Sequence, residues 1–262
     1  MINDEKLIEY HFRGFIPGPQ EEVSIFLKRA ESANCQKKNS YQALTFVQSL
    51  FDVYPSWVRI ELTDQLQFWE AAATYIEENQ DIFTPVVHMK KKGIPFWCAQ
   101  EEILAHELVH ATRIAFKENL FEEVLAYRTS NNWLRRYFGP IFFHPKEVIF
   151  FLCSLAGIWC YQLSCLFLFD DLPGLTLWIP CILIGILIIR IVVIQTIFSL
   201  CLKKIRRLLK QPDKVLSFAL RLSDREIIAF AFKSLDKMRK YIERIQEKSL
   251  RWHMLALTCP IY

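Results

Sequence analysis

The sequence predicts a mixed α+β globular domain, a two-helix transmembrane hairpin and a helical C-terminal tail. Three observations predict this. Strand-like and amphipathic helical patterns alternate through residues 1–145, two long apolar runs flank a short polar turn within 148–202, and a basic, helix-patterned stretch fills 203–262.

The N-terminal region begins MINDEKLIEY, acidic and without an apolar core segment, so no cleavable leader is expected. Residues 19–33 form an amphipathic helix opened by Pro19. Residues 56–62 alternate and predict a strand, and 65–78 have helical composition. Residues 81–93 predict a short strand ending in a turn, and Pro85 assigns that strand to a sheet edge. A further helix without Gly or Pro covers 100–115. The region is long enough for its own core.

Residues 148–169 read VIFFLCSLAGIWCYQLSCLFLF, 22 residues without a charge. At 1.5 Å per residue this crosses a ~30 Å hydrocarbon layer. Asp170, Asp171, Leu172, Pro173 and Gly174 make the turn, and the apolar run 175–202 is broken only by Arg190. Arg190 falls roughly 22 Å along that run, near its inner end, where it can snorkel towards head groups. Lys and Arg cluster outside both runs, which predicts a multi-pass protein of a bacterial inner membrane with both termini cytoplasmic. Residues 133–145 mix aromatic and basic side chains, as a segment at head-group level does. Two spans with no intramembrane acid offer no ion path.

The net charge of +4 conceals an asymmetry: residues 203–262 carry 15 Lys and Arg against 6 Asp and Glu, a net of +9, leaving −5 for the remainder. A basic stretch beside apolar helices points to membrane lipid, and without a recognition motif nucleic acid is not an expected partner. Ser223-Asp224-Arg225-Glu226 predicts a capping box opening one long helix with a stripe of Ile228, Ala231, Leu235, Met238, Ile242 and Ile245. The eight Cys show no CxxC spacing and read as reduced, small apolar residues.

The chemical signal is His106-Glu107-Leu108-Val109-His110. Four residues apart on a helix, the two imidazoles share a face and can bind one Zn2+. Glu107 is rotated away from ligation but within reach of a water beside the metal, the place of a general base. Glu101, Glu102, Arg113, Lys117 and Glu118 surround the motif and exclude a site inside the bilayer. A catalytic zinc needs a third protein ligand. Glu122 and Glu123 both qualify, because the apolar arc of Leu120, Phe121, Val124 and Leu125 leaves them on its two flanks.

HELVH followed by a helix with Glu-x-x-Ala-Tyr resembles the gluzincin branch of HExxH zinc metallopeptidases, over about residues 80–130. The resemblance implies a zincin-like domain, Zn2+ held by His106, His110 and Glu123 with Glu122 as the alternative, and Glu107 as the base. Tyr127 stands where that branch often has Asp or Asn. The metzincin pattern is not met, since Arg113 and Phe116 occupy its Gly and third His positions. The resemblance also implies that the strand before the helix is an edge that pairs with an extended substrate, which would put Thr84, Val86 and His88 against it. Tyr127, Arg128 and His253 are candidates to stabilise an oxyanion or support the ligands.

These readings combine as a membrane-anchored zinc metalloendopeptidase acting on polypeptides near the cytosolic membrane face. Glu123 lies 25 residues before Val148, so the site cannot stand far from the bilayer. The rival is a non-catalytic membrane adaptor that keeps a zinc-binding zincin fold; an intact Glu107 argues against it. Oligomeric state has no signature in the sequence.

Overall fold

The computed structural model describes residues 2–34, 41–67, 70–79, 82–91, 99–142, 145–169 and 178–262. Three helices open the chain: α1 (Asp4–Phe12), α2 (Val23–Asn34) and α3 (Gln42–Phe51). Three strands follow: β1 (Arg59–Thr63), β2 (Ala72–Asn79) and β3 (Ile82–Lys90). The motif helix α4 (Gln100–Arg113) leads to α5 (Glu122–Ala126) and α6 (Trp133–Phe138). Two long helices, α7 (Pro145–Phe169) and α8 (Trp178–Leu208), precede α9 (Val215–Leu220), α10 (Asp224–Phe232), α11 (Leu235–Gln246) and α12 (Leu250–Thr258).

The sheet has the order β1-β3-β2, with β1 parallel and β2 antiparallel to β3. Two expectations are corrected here. Residues 65–78 are not a helix: 72–79 form β2, where the β-favouring Thr74, Tyr75 and Ile76 pair with Val87, Val86 and Pro85. Consequently β3 is the central strand and not an edge. Val86 and Val87, successive residues on opposite faces, are both fully buried, as a strand covered on both sides requires. Pro85 is accommodated because the β1 ladder starts one residue later, at Val86. The turn expected at the end of this strand falls largely outside the described residues.

One hydrophobic core unites the N-terminal region with residues 203–262: Leu7, Phe26, Val47, Leu108, Phe218 and Trp252 belong to the same cluster. The capping box forms as the sequence predicts, with Ser223 and Glu226 each satisfying the other's backbone N–H. The single long helix does not. It breaks at Lys233–Ser234 into α10 and α11, which resets the helical phase. Ile227 and Phe230 therefore take the core face of α10, while Ile228 remains 36% exposed.

Helices α7 and α8 are long and apolar enough to cross a membrane. Large apolar side chains stand exposed on both, including Phe150, Trp159 and Phe167 on α7 and Ile182, Ile186 and Ile189 on α8. The turn at 170–174 lies outside the described residues. The second half of α8 departs from the expected span. From Ile191 onward one face joins the globular core through Ile194, Phe198, Cys201 and Ile205, while Val192, Val193 and Leu200 stay exposed. Arg190 is not free to snorkel. Both its terminal nitrogens donate to Glu147 at 2.9 Å, and it also donates to the Ile141 carbonyl. Six described cysteines are free thiols.

Candidate metal centre

Helix α4 is held at both ends. Near its start, Glu101 accepts the Ala43 N–H at 2.7 Å, and Glu102 accepts from the Ser130 hydroxyl and, at 2.7 Å, from Arg135. At its end the fully buried Arg113 donates to the Leu220 and Leu222 carbonyls between α9 and α10. Acids in the first turn and bases in the last complement the helix dipole. Leu104, Ala105, Leu108, Val109 and Ala111 face the core, which turns His106 and His110 to the opposite side.

There they meet α5. His106 Nε2 lies 3.2 Å from His110 Nε2, and Glu123 brings its two carboxylate oxygens to 3.5 Å from each of these nitrogens. Four ligand atoms set tetrahedrally at ~2.0–2.1 Å from zinc stand about 3.3 Å from one another. The imidazole–imidazole separation matches that spacing, Glu123 turns one oxygen to each nitrogen, and one ligand atom from each residue lies within 4.8 Å of the others; the donor set of two imidazoles and one carboxylate suits zinc. The side chains are 17–25% exposed, so solvent reaches the cluster, as an open coordination position requires.

Glu122 takes a different place from Glu123. It accepts from His110 Nδ1 at 2.7 Å, so Nε2 is the nitrogen whose lone pair would face the cluster once the ring gives up its second proton. Burial disfavours charge on His110, yet the Glu122 hydrogen bond and the carboxylates of Glu123 and Glu107 outweigh it and push its pKa up to about 9. Burial, then His110 and Arg135, hold His106 well below the usual imidazole range. Burial raises Glu123.

Glu107 projects from the next position of α4 towards β2. Its Oε2 accepts from the Thr74 hydroxyl at 2.8 Å. Burial raises its pKa, opposed by His110 and by the Thr74 hydrogen bond. Thr74 escapes sequence reasoning because its segment reads as helix; the Thr-Tyr-Ile run within an otherwise Ala- and Glu-rich stretch is the signal that points to a strand.

Tyr127 stacks edge-on to His106, with ring centroids 4.6 Å apart. A Cβ at Gly139 would fall 2.3 Å from the Tyr127 ring, so the ring's position depends on glycine there. The other two candidates are engaged differently. Arg128 donates to Gln195 on α8 at 3.0 Å and lies over the Tyr137 and Phe198 rings. His253 pairs with Asp4 at 3.0 Å across the α1–α12 contact. On β3, His88 lies 3.4 Å from Glu61 and against Tyr75, apart from the three ligand candidates. Val86 and His88 sit between β1 and β2 and offer no free edge to a substrate, while Thr84, paired with Glu77 of β2, precedes the β1 ladder.

Comparison of the chain with family models, curated proteins and solved structures finds no match.

Proposed function

We propose that the chain is a membrane-anchored zinc metalloendopeptidase, with His106, His110 and Glu123 as ligands and Glu107 as general base. The observation that carries this reading is the convergence of two imidazoles and one carboxylate, with one ligand atom of each within 4.8 Å of the others, beside the buried Glu107 carboxylate held by Thr74. A zinc ion in such a site polarises a carbonyl and brings the pKa of an adjacent water to ~7.

The protein groups then have distinct tasks. Glu107 takes the proton of the attacking water and returns it to the leaving amine. Thr74 fixes the carboxylate's orientation through its hydroxyl. Glu122 fixes the ring of His110. β2, the sheet edge beside α4, replaces β3 as the strand that an extended polypeptide would pair with. The apolar helices α7 and α8 and the exposed Trp133, Leu134, Tyr137 and Phe138 of α6 support membrane anchoring, with both termini cytoplasmic as the basic flanks imply. Membrane-proximal polypeptides are the natural substrates.

The test pairs zinc content with cleavage of a quenched peptide library by the purified full chain and by Glu107→Gln. One zinc per chain in both proteins is expected, with cleavage lowered by ~10²–10⁴ in the variant. Zinc binding without cleavage in either protein would favour the adaptor, and absence of bound zinc would remove the proposal.

A further inference from the structure

Where α7 and α8 leave the globular body, a cavity of about 330 Å³ opens between them. This is within the size range of small-molecule sites. Its chemistry is graded along the hairpin. Lys146, Glu147 and Arg190 stand at the globular end, and Phe150, Ile186 and Leu187 form the walls one turn further on. Leu183 lines it about 10 Å beyond Arg190 along α8. Glu147 holds Arg190 in a two-pronged ion pair, which pre-orients the guanidinium and cancels one charge. The exposed Lys146 leaves the mouth with one net positive charge.

A cationic mouth leading into an apolar channel fits an amphiphile with a singly charged anionic head. The channel runs in the same direction as the exposed apolar faces of α7 and α8, so its contents would lie alongside bilayer chains. We infer that this groove binds one anionic glycerophospholipid, its phosphodiester at Lys146 and Arg190 and an acyl chain along Phe150, Ile186 and Leu187. The inference rests on the reading of α7 and α8 as membrane helices and is independent of the metal chemistry.

The full chain is reconstituted into vesicles of phosphatidylcholine with and without phosphatidylglycerol, re-extracted in mild detergent, and its retained lipid counted by native mass spectrometry. Wild type retains one phosphatidylglycerol in preference to phosphatidylcholine. Lys146→Glu lowers that preference roughly tenfold or more. Leu187→Trp, which fills the channel and leaves its charges intact, removes the retained lipid. Lys203→Glu, ~20 Å beyond Arg190 along α8, changes nothing. Equal retention of both lipids by wild type overturns the inference, as does an equal loss from Lys146→Glu and Lys203→Glu, which would mean diffuse surface attraction. A chain that stays in the supernatant with either vesicle would instead refute the membrane reading, and the groove's ligand with it.

Discussion

At the scale of single residues, the two neighbouring glutamates of α5 hold one histidine from different sides. Glu123 Oε1 faces His110 Nε2, and Glu122 Oε1 faces Nδ1. In the proposed site the first is a zinc ligand and the second orients the ring of His110. The expected consequence is graded. Glu122→Gln, which keeps size and a hydrogen-bonding oxygen, weakens zinc affinity by ~10–100-fold in a competitive chelator titration, while Glu123→Gln loses most of the bound metal. The reverse ranking would exchange their roles. Apolar periodicity leaves this pair open, because both lie at the margin of the same arc. Resemblance to gluzincins favours Glu123, and among the described residues Glu123, with His106 and His110, is close enough to hold an ion.

At the scale of elements, the site is a helix set against a strand edge. β2 presents Thr74 to Glu107, so the proposed base is oriented by a different element from the one that carries it. Thr74→Val is expected to keep zinc and lower kcat/KM by about tenfold, with Thr74→Ser restoring most of the loss. An unchanged rate in Thr74→Val would remove Thr74 from the account. The motif helix, the amphipathic helix at α2, the capping box and the two apolar helices are legible in the sequence because each signal is local. What is lost is non-local. Ala, Gln and Glu around 65–78 favour a helix, and only pairing with β3 makes 72–79 a strand. That misreading also hides Thr74 and places the sheet edge on β3. Two adjacent buried valines, Val86 and Val87, mark a strand covered on both faces, which Pro85 obscures. The break at Ser234 likewise hides behind a continuous apolar stripe, since a helix-phase reset needs only two extended residues, Lys233 and Ser234.

At the scale of the whole molecule, the last sixty residues complete the globular body around the N-terminal region. Arg113 and Arg221 couple the two: Arg113 donates to carbonyls at and just after the end of α9, and Arg221 donates to His11 Nε2 at 3.0 Å. Burial, then the Arg221 charge, holds His11 down to about 3, with Asp52 opposing and Lys214 adding to the depression. The folded protein thus keeps His11 neutral where the unfolded chain, with an imidazole near 6.5, takes up a proton. Stability contributed this way is intact above about pH 6.5. It falls by about 1.4 kcal/mol per unit as pH drops towards 3. His11→Gln is expected to flatten that acid limb in thermal unfolding of the detergent-solubilised chain, and an unaltered slope would show that other groups dominate it. The central claim is that two imidazoles and one carboxylate share a metal ion, and zinc-edge X-ray absorption on the purified full chain tests it most directly. The account predicts nitrogen and oxygen scatterers at about 2.0–2.1 Å, two of them imidazole, with the Glu107→Gln spectrum superimposable. Sulfur scattering at about 2.3 Å, or a spectrum unaffected by His110→Ala, would contradict it.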